Sequence, residues 1–383
     1  MGSIAETPRA GTRSARRRGI VSGYILKLIR ESVGLTQVVL AEKLTVDVAT
    51  VQGWESGRRS LTALRADELA RLRIRLVGLG ARPSVVSLLT NAVEADLVIS
   101  DAVEAGDKVA DAAHHSLAAT VHRRDLTNLI TWPFTGIAPS RVAQLPRLSS
   151  RRGPVADRPV LGADEQARFF DHLLVMSDAC RGETNALLRR QAIYLLGFDT
   201  RADSAEWLVS EQKRALRAAG RTDHVPSWVA VRSSAIALAQ NGDREPLHAF
   251  VANGLVSGKQ ETANLNYWAY WVGEFPDVHA DDDFMVSADH HDWPGTRLFE
   301  HLLNRVHPES PHLDLNVHTL WALVSARPAV LNYLPRLRDM VKTKTEALAG
   351  APELTARASQ EVVSVRRTPC GSRSDEKGVP HGH

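Results

Sequence analysis

The sequence predicts an all-α chain: a small helical head followed by a large α-helical body, with solenoid-like stacking as one form the body could take. Three observations carry this. Apolar residues recur at spacings of three and four through most of the chain, the period of an amphipathic helix. No segment shows the period-two alternation of a half-buried strand. The charge is also divided unevenly. Residues 1–75 hold 14 Lys/Arg against 7 Asp/Glu, a net of +7, while the other 308 hold 33 against 37, a net of −4, both concealed in a whole-chain value of +3. A basic head on a mildly acidic body is the asymmetry expected where one end meets a polyanion.

Composition excludes several classes. With 383 residues, 44% hydrophobic and 24% charged, the chain has material for two or three domains and is not wholly disordered. Two cysteines, Cys180 and Cys370, exclude a disulfide framework and a cysteine-based zinc motif, and fit a reducing, cytoplasmic setting. No apolar run approaches the ~20 residues of a membrane span. Arg16, Arg17 and Arg18 before Gly19-Ile20-Val21 imitate a signal peptide, but Lys27 and Arg30 interrupt its apolar core. A soluble intracellular protein with no membrane partner is expected.

Along the chain, residues 1–22 read as a disordered basic arm with five arginines, Arg9, Arg13, Arg16, Arg17 and Arg18. Helical period begins at Tyr24, with Tyr24–Leu28 and Ile25–Ile29 pairs, and ends near Gly34. Thr36 and Asp47 each start a short helix, and Leu69, Leu72 and Leu76 mark another, giving a domain over 23–80. Connecting helices fill 81–145. Residues 84–105 lack Gly and Pro and align Val85, Leu88, Leu89, Val93 and Leu97, and Trp132 to Pro139 read as a turn with two aromatics. Pro146, Gly153, Pro154 and Pro159 make 146–160 a linker, helices resume over 161–350, and 351–383 read as a disordered tail. One faint repeat lies in the body: Arg189, Ala192, Ile193, Leu195 and Trp207 recur 43 residues later as Arg232, Ala235, Ile236, Leu238 and Phe250. That period fits a paired-helix unit, and chance likeness between alanine-rich helices is the alternative.

Residues 36–57 carry the functional signal. Thr36 is a good N-cap, Leu40 and Leu44 share a face, and Ala41 is small enough for a second helix to cross closely. Asp47 can cap the next helix, whose Val51 and Trp54 point to the same core, and Gly57 can end it in a left-handed conformation. Two short helices joined by a tight turn over a small residue make a helix-turn-helix. The set Thr36-Gln37, Leu40-Ala41, Leu44, Val46, Thr50-Val51 and Trp54-Glu55-Ser56-Gly57 resembles the lambda-repressor/Cro-like, or XRE, family of DNA-binding domains over about 23–80.

The resemblance implies roles position by position. Gln37 matches the first residue of helix 2, which contacts backbone or base. Val48, Ala49, Gln52 and Gly53 match the outward face of the recognition helix in the major groove. Thr50, Arg58 and Arg59 match phosphate contacts, and Arg16, Arg17 and Arg18 could add backbone or minor-groove contacts. The chemistry agrees: Gln52 can pair bidentately with adenine, and Val48 and Ala49 can meet thymine methyls. Two positions depart from the family. Thr45 stands where a turn glycine is usual, at a cost of order 1 kcal/mol if φ is positive, and Val38-Val39 replace polar residues.

In the body, Asn264, Tyr267, Trp268, Trp271 and Phe275 share a helical face, read either as core packing or as a ligand or peptide pocket with Asn264 and Glu274 as polar orienters. His279, Asp281, Asp282, Asp283, Asp289, His290, His291 and Asp292 carry metal-ligand types in no metal-binding spacing, and read as a solvated loop. No nucleophile elbow, phosphate loop or dinucleotide fingerprint is present, so neither an enzyme nor a cofactor is expected. The expected function is a sequence-specific regulator, a repressor by family habit, which binds a double-stranded operator as a homodimer. Its body would oligomerise or sense a peptide, protein or small-molecule effector. The alternative is a helical interaction module tethered to DNA, such as an antitoxin-like autorepressor.

Overall fold

The computed structural model describes residues 18–108, 115–121, 123–143, 145, 157–181, 185–219, 225–275, 282–286, 293–333, 335–348 and 350–367. Among these every regular element is helical and none is a strand. The chain divides into two compact units, Met1–Ala179 and Cys180–His383.

The N-terminal unit runs α1 (Ile20–Ser32), α2 (Gln37–Leu44), α3 (Val48–Glu55), α4 (Ala66–Gly78), α5 (Pro83–Val86), α6 (Leu88–Ala105), α7 (Arg124–Thr135), α8 (Ser140–Ala143) and α9 (Ala163–Ala179). Helix α6 is its centre, because α1, α7 and α9 all pack against it. This explains a departure from the sequence reading. Leu97, expected on the apolar face, is exposed, while Asp96 is buried among Ala92, Val93, Ile99 and Val103. The Asp96 side-chain oxygens accept hydrogen bonds from the Val21 and Ser22 backbone N–H groups, 2.9 Å each, and so cap α1 from 75 and 74 residues away. The Tyr24 ring meets Trp132 of α7 edge-on at 5.3 Å. The head is therefore seated on α6 and α7 within one compact body.

Other boundaries move for identifiable reasons. Residues 20–22, read as the end of the arm, are the buried first turn of α1. The 84–105 segment breaks at Ser87 into α5 and α6. Trp132 and Phe134, read as a turn, lie in the last turns of α7, which runs through Pro133 and ends at Gly136 with φ +71°. Helix α9, placed by sequence with the body, packs on α6 through the N-terminal unit's contacts. Of the expected linker, residues 146–156 lie outside the described residues.

The C-terminal unit runs α10 (Ala186–Leu196), α11 (Ala202–Ala219), α12 (Val225–Gln240), α13 (Glu245–Gly254), α14 (Gly258–Val272), α15 (Thr296–Arg305), α16 (Leu313–Ala326), α17 (Val330–Tyr333), α18 (Pro335–Leu348) and α19 (Ala356–Arg367). Helices α10, α11 and α13 surround α12, and α13, α14, α15 and α19 surround α16. The two halves of the 43-residue similarity fall on successive helix pairs, α10–α11 and α12–α13. The pairs approach closely at Gly197, where a Cβ would lie 2.9 Å from the Ala237 Cα. Helix α19 corrects the expected tail: Ala358, Val362 and Val365 recur at i, i+4 and i+7 and are buried against the core. Its Glu361 accepts a hydrogen bond from His318 of α16 at 2.8 Å. Residues 368–383 lie outside the described residues.

Candidate nucleic-acid interface

The α2–α3 corner is held by local chemistry that the sequence announces. The Thr36 hydroxyl accepts from the Val39 N–H at 3.2 Å, capping α2. Leu40, Ala41, Leu44, Val51 and Trp54 are buried together with Ile25, Leu26 and Ile29 of α1. Asp47 occupies the N-cap position of α3 without a side-chain cap bond, its carbonyl accepting from the Thr50 N–H at 2.9 Å. Gly57 takes φ +71° after α3, and a Cβ there would press on the Gly19 carbonyl at 3.1 Å. Helix α1 crosses α3 at Gly23, where a Cβ would sit 2.1 Å from the Trp54 carbonyl oxygen, so only glycine permits this approach.

Thr45, in the turn between α2 and α3, has φ +59° and ψ +47° and is the one non-glycine residue with positive φ among the described residues. The sequence expectation of a β-branched residue in a left-handed turn is met, and the chain keeps it. The turn's backbone is satisfied: the Thr45 and Val46 N–H groups donate to Glu42 and Ala41 carbonyls at 3.1 and 3.0 Å.

A buried ion pair ties the corner to α1. The Arg30 Nε donates to Glu55 Oε1 at 2.6 Å, its terminal nitrogens reach Glu55 Oε2 at 3.0 Å and the Leu35 carbonyl at 2.8 Å, and both side chains are nearly inaccessible. Burial alone would lower the Arg30 pKa; the Glu55 and Glu31 carboxylates outweigh it and hold it above the ordinary value. Gln37 donates its amide to Glu55 Oε2 at 2.7 Å and is thus the outer member of this network. Sequence reading missed this triad, although an arginine and a glutamate on otherwise apolar helix faces were its signal.

The residues carried over as DNA contacts divide into groups. Ala49 and Gln52 are exposed and Val48 is half-buried on α3, while Arg58 and Arg59 are exposed just beyond it. Thr50 accepts from Arg59 at 2.6 Å, which fixes that guanidinium beside the helix, and Arg58 donates to the Ser56 hydroxyl at 3.0 Å. Gly53 is not on the open face. It is buried where the Arg58–Arg59 turn folds back, with its carbonyl accepting from the Arg59 N–H at 3.0 Å and space for a Cβ closed at 3.1 Å by Arg59. Arg18 pairs with Glu104 of α6 at 2.8 Å, away from α3 in its contacts, and Arg16 and Arg17 lie outside the described residues.

In the C-terminal unit, Asn264 is buried and donates to Thr319 at 3.0 Å. Tyr267 and Trp268 stack on the fully buried Arg232 guanidinium, 4.1 and 5.3 Å from its carbon, and Trp271 lies 6.2 Å from Tyr267. These side chains come together as packing around a buried cation. Glu274 accepts from the Arg297 and Leu298 N–H groups at 2.7 and 3.1 Å, at the start of α15. Of the acidic, histidine-bearing stretch only Asp282 and Asp283 are among the described residues, and Asp282 is bound by Arg190. Among the described residues no group of three His, Cys, Asp or Glu is placed to hold a metal ion, and no helix is long and apolar enough to cross a membrane.

With this geometry in place, comparison with known families shows that residues 26–72 match the HTH_3 model, described as helix-turn-helix. This is the XRE, lambda-repressor-like class that the motif resembles, and the match spans α2, α3 and most of α1 and α4. No curated protein and no solved structure matches the chain.

Proposed function

We propose that this chain, whose N-terminal helices form an XRE-type DNA-binding helix-turn-helix, is a sequence-specific transcriptional regulator that binds its operator as a homodimer and represses. The carrying observation is the surface of α3. Ala49 and Gln52 stand exposed on a helix pinned by a buried ion pair, with Arg58 and an Arg59 anchored to Thr50 alongside. A rigid helix offering one bidentate donor–acceptor and small apolar contacts, flanked by phosphate-seeking guanidiniums, suits the major groove. Gln37 joins this face once operator phosphate competes for its amide. Because only Gln52 on α3 offers strong base-edge hydrogen bonding, DNA shape supplies part of the specificity.

The dimer is supported by α4, where Ile74 and Val77, 71% and 40% exposed and three residues apart, put apolar surface in water. One such domain buries too little surface for tight binding, and two would read paired half-sites. The C-terminal unit is the sensing or oligomerising part. Selection of duplexes from a random library with the full chain should enrich a two-fold symmetric motif, bound less tightly as salt rises. Recovery of no motif would overturn the proposal; recovery of a single unpaired half-site would overturn the dimer.

A further inference from the structure

Helix α2 is attached to other helices at both ends. At its start, the Gln37 amide donates to Glu55 of α3 at 2.7 Å. At its end, the Arg75 guanidinium of α4 donates to the Leu44 carbonyl at 2.5 Å, across 31 residues. Leu44 is the last residue of α2, so its carbonyl is among the acceptors that a helix C-terminus leaves without an intrahelical partner. A guanidinium there also meets the negative end of the helix dipole. Leu44 is buried, whereas Arg75 stands exposed on α4 between the exposed Ile74 and the buried Leu76. The residue after Leu44 is Thr45, held at φ +59°. Its N–H and that of Val46 bond back to α2 itself, at Glu42 and Ala41. These local bonds shape the turn, and Arg75 ties it to a further helix.

We propose that Arg75 is a positioning residue for operator reading: it holds the α2–α3 turn against α4, so that α3 meets base edges at one angle. Gln37 and Leu44 are about 10 Å apart along a helix that rises about 1.5 Å per residue. Two attachments that far apart fix the direction of α2 as well as its place. The apolar contacts of Leu40, Ala41 and Leu44 hold α2 on the corner but carry no direction of their own. A swing of about 6° over that lever moves the turn by about 1 Å, beyond the ~0.5 Å that a precise binding geometry tolerates. Val48 opens α3 four residues after Leu44, so the shift is delivered to the end that reads bases. Thr45 gives a second reason, because a β-branched residue persists in the left-handed region only where its surroundings over-determine it. Once operator phosphate draws Gln37 away from Glu55, Arg75 still ties the other end of α2 to the domain. This role rests on the DNA-binding function given above and is independent of the dimer.

The test compares the full chain with its Arg75→Ala and Arg75→Lys variants, whose folding urea denaturation verifies. Without DNA, amide hydrogen exchange at Thr45 and Val46 should be about tenfold faster in Arg75→Ala. With the operator selected by the wild-type chain, competition against a scrambled duplex should show the preference narrowed by about tenfold, the order of one lost bidentate base contact. Affinity for the scrambled duplex and the salt slope should keep their wild-type values. Arg75→Lys, which retains a charged donor, should recover part of the preference. Equal weakening of both duplexes with a shallower salt slope overturns the proposal, since Arg75 would then be a phosphate contact. An unchanged preference overturns it too, whatever happens to stability, because the bond would then be a helix cap and nothing more. Unchanged exchange at Thr45 and Val46 overturns the hold on the turn. Failure of the wild-type chain to select any operator overturns the DNA-binding function and this role with it, and exchange that still quickens in Arg75→Ala distinguishes that failure from a loss of the hold itself.

Discussion

In the N-terminal unit Arg58, Arg59, Arg65 and Arg71 are exposed, whereas in the C-terminal unit Arg189, Arg190 and Arg232 are drawn inward against carboxylates or aromatic rings. The same side chain thus does opposite work. Exposed guanidiniums spread a field over a convex face, which suits a polyanion longer than the domain. Guanidiniums drawn inward act at short range and in low dielectric, which makes each of them part of the fold. The excess of +7 in the first 75 residues is therefore legible from counting alone. The charge arrangement of the body is not, because its net of −4 gives no sign of an arginine such as Arg232 buried against aromatic rings.

Arg30 is the N-terminal unit's exception, buried with Glu55, and it gives the largest expected effect. Glu55→Ala strands a guanidinium under α3 and unties Gln37, which should cost about 3–5 kcal/mol by urea denaturation and abolish operator binding. The surface counterpart, Arg58→Ala, should leave stability within about 0.5 kcal/mol. Equal losses for the two variants would erase the distinction between buried and exposed arginine drawn above.

Titration sharpens the contrast further. Burial pushes Asp96 up to about 7, against the pull of two backbone N–H bonds, so its folded form holds a proton that the unfolded chain releases from about pH 4. Stability from this group falls as pH rises between about 4 and 7. Burial and then the neighbouring His172 push His115 down to about 4, and its stability is lost in the other direction, as pH falls from 6.5 towards 4. The two slopes oppose each other within one unit. Asp96→Asn removes the first and exposes the second: the variant should lose about 2–3 kcal/mol more than wild type on acidification over that range. Hydrogen exchange of the α1 amides reads it locally, and parallel pH profiles for the two proteins would refute it.

At the interface the effects are smaller and differ in kind. Gln52→Ala should cost about 1–3 kcal/mol at the preferred operator and relax its sequence preference, while Arg58→Ala should weaken all duplexes alike and reduce the salt slope by about 1. Competition with scrambled duplexes at two salt concentrations separates these outcomes. If Gln52→Ala lowered every affinity equally, α3 would not be reading bases.

How far the sequence could be read follows from contact distance along the chain. Thr36, Ala41 and Gly57 lie within one stretch of 22 residues, so the corner is visible in a single window, although a Cβ on Gly57 would also press on Gly19, 38 residues away. Asp96 acts across 74 and 75 residues, and its only sequence trace was an acid inside an apolar run. Gly53 misled because helical phase put it outward, whereas the following turn folds over it. Helix α19 was lost to its polar composition, although Ala358, Val362 and Val365 kept the spacing of a buried face.

Thr45 is the smallest effect and the cleanest. At φ +59° its Cβ is held in the left-handed region that glycine occupies freely, at a cost of about 1 kcal/mol. Thr45→Gly relieves that strain but also loosens the unfolded chain, which takes back part of the gain. The residue is exposed and its N–H bond to the Glu42 carbonyl survives the change, so no packing is lost. The net should be a small rise, at most about 0.5 kcal/mol, in the stability of the N-terminal unit, with operator affinity unchanged if α2 and α3 keep their angle. A rise in stability joined to weaker, less selective binding would instead mean that the strained turn sets the angle at which α3 meets the groove.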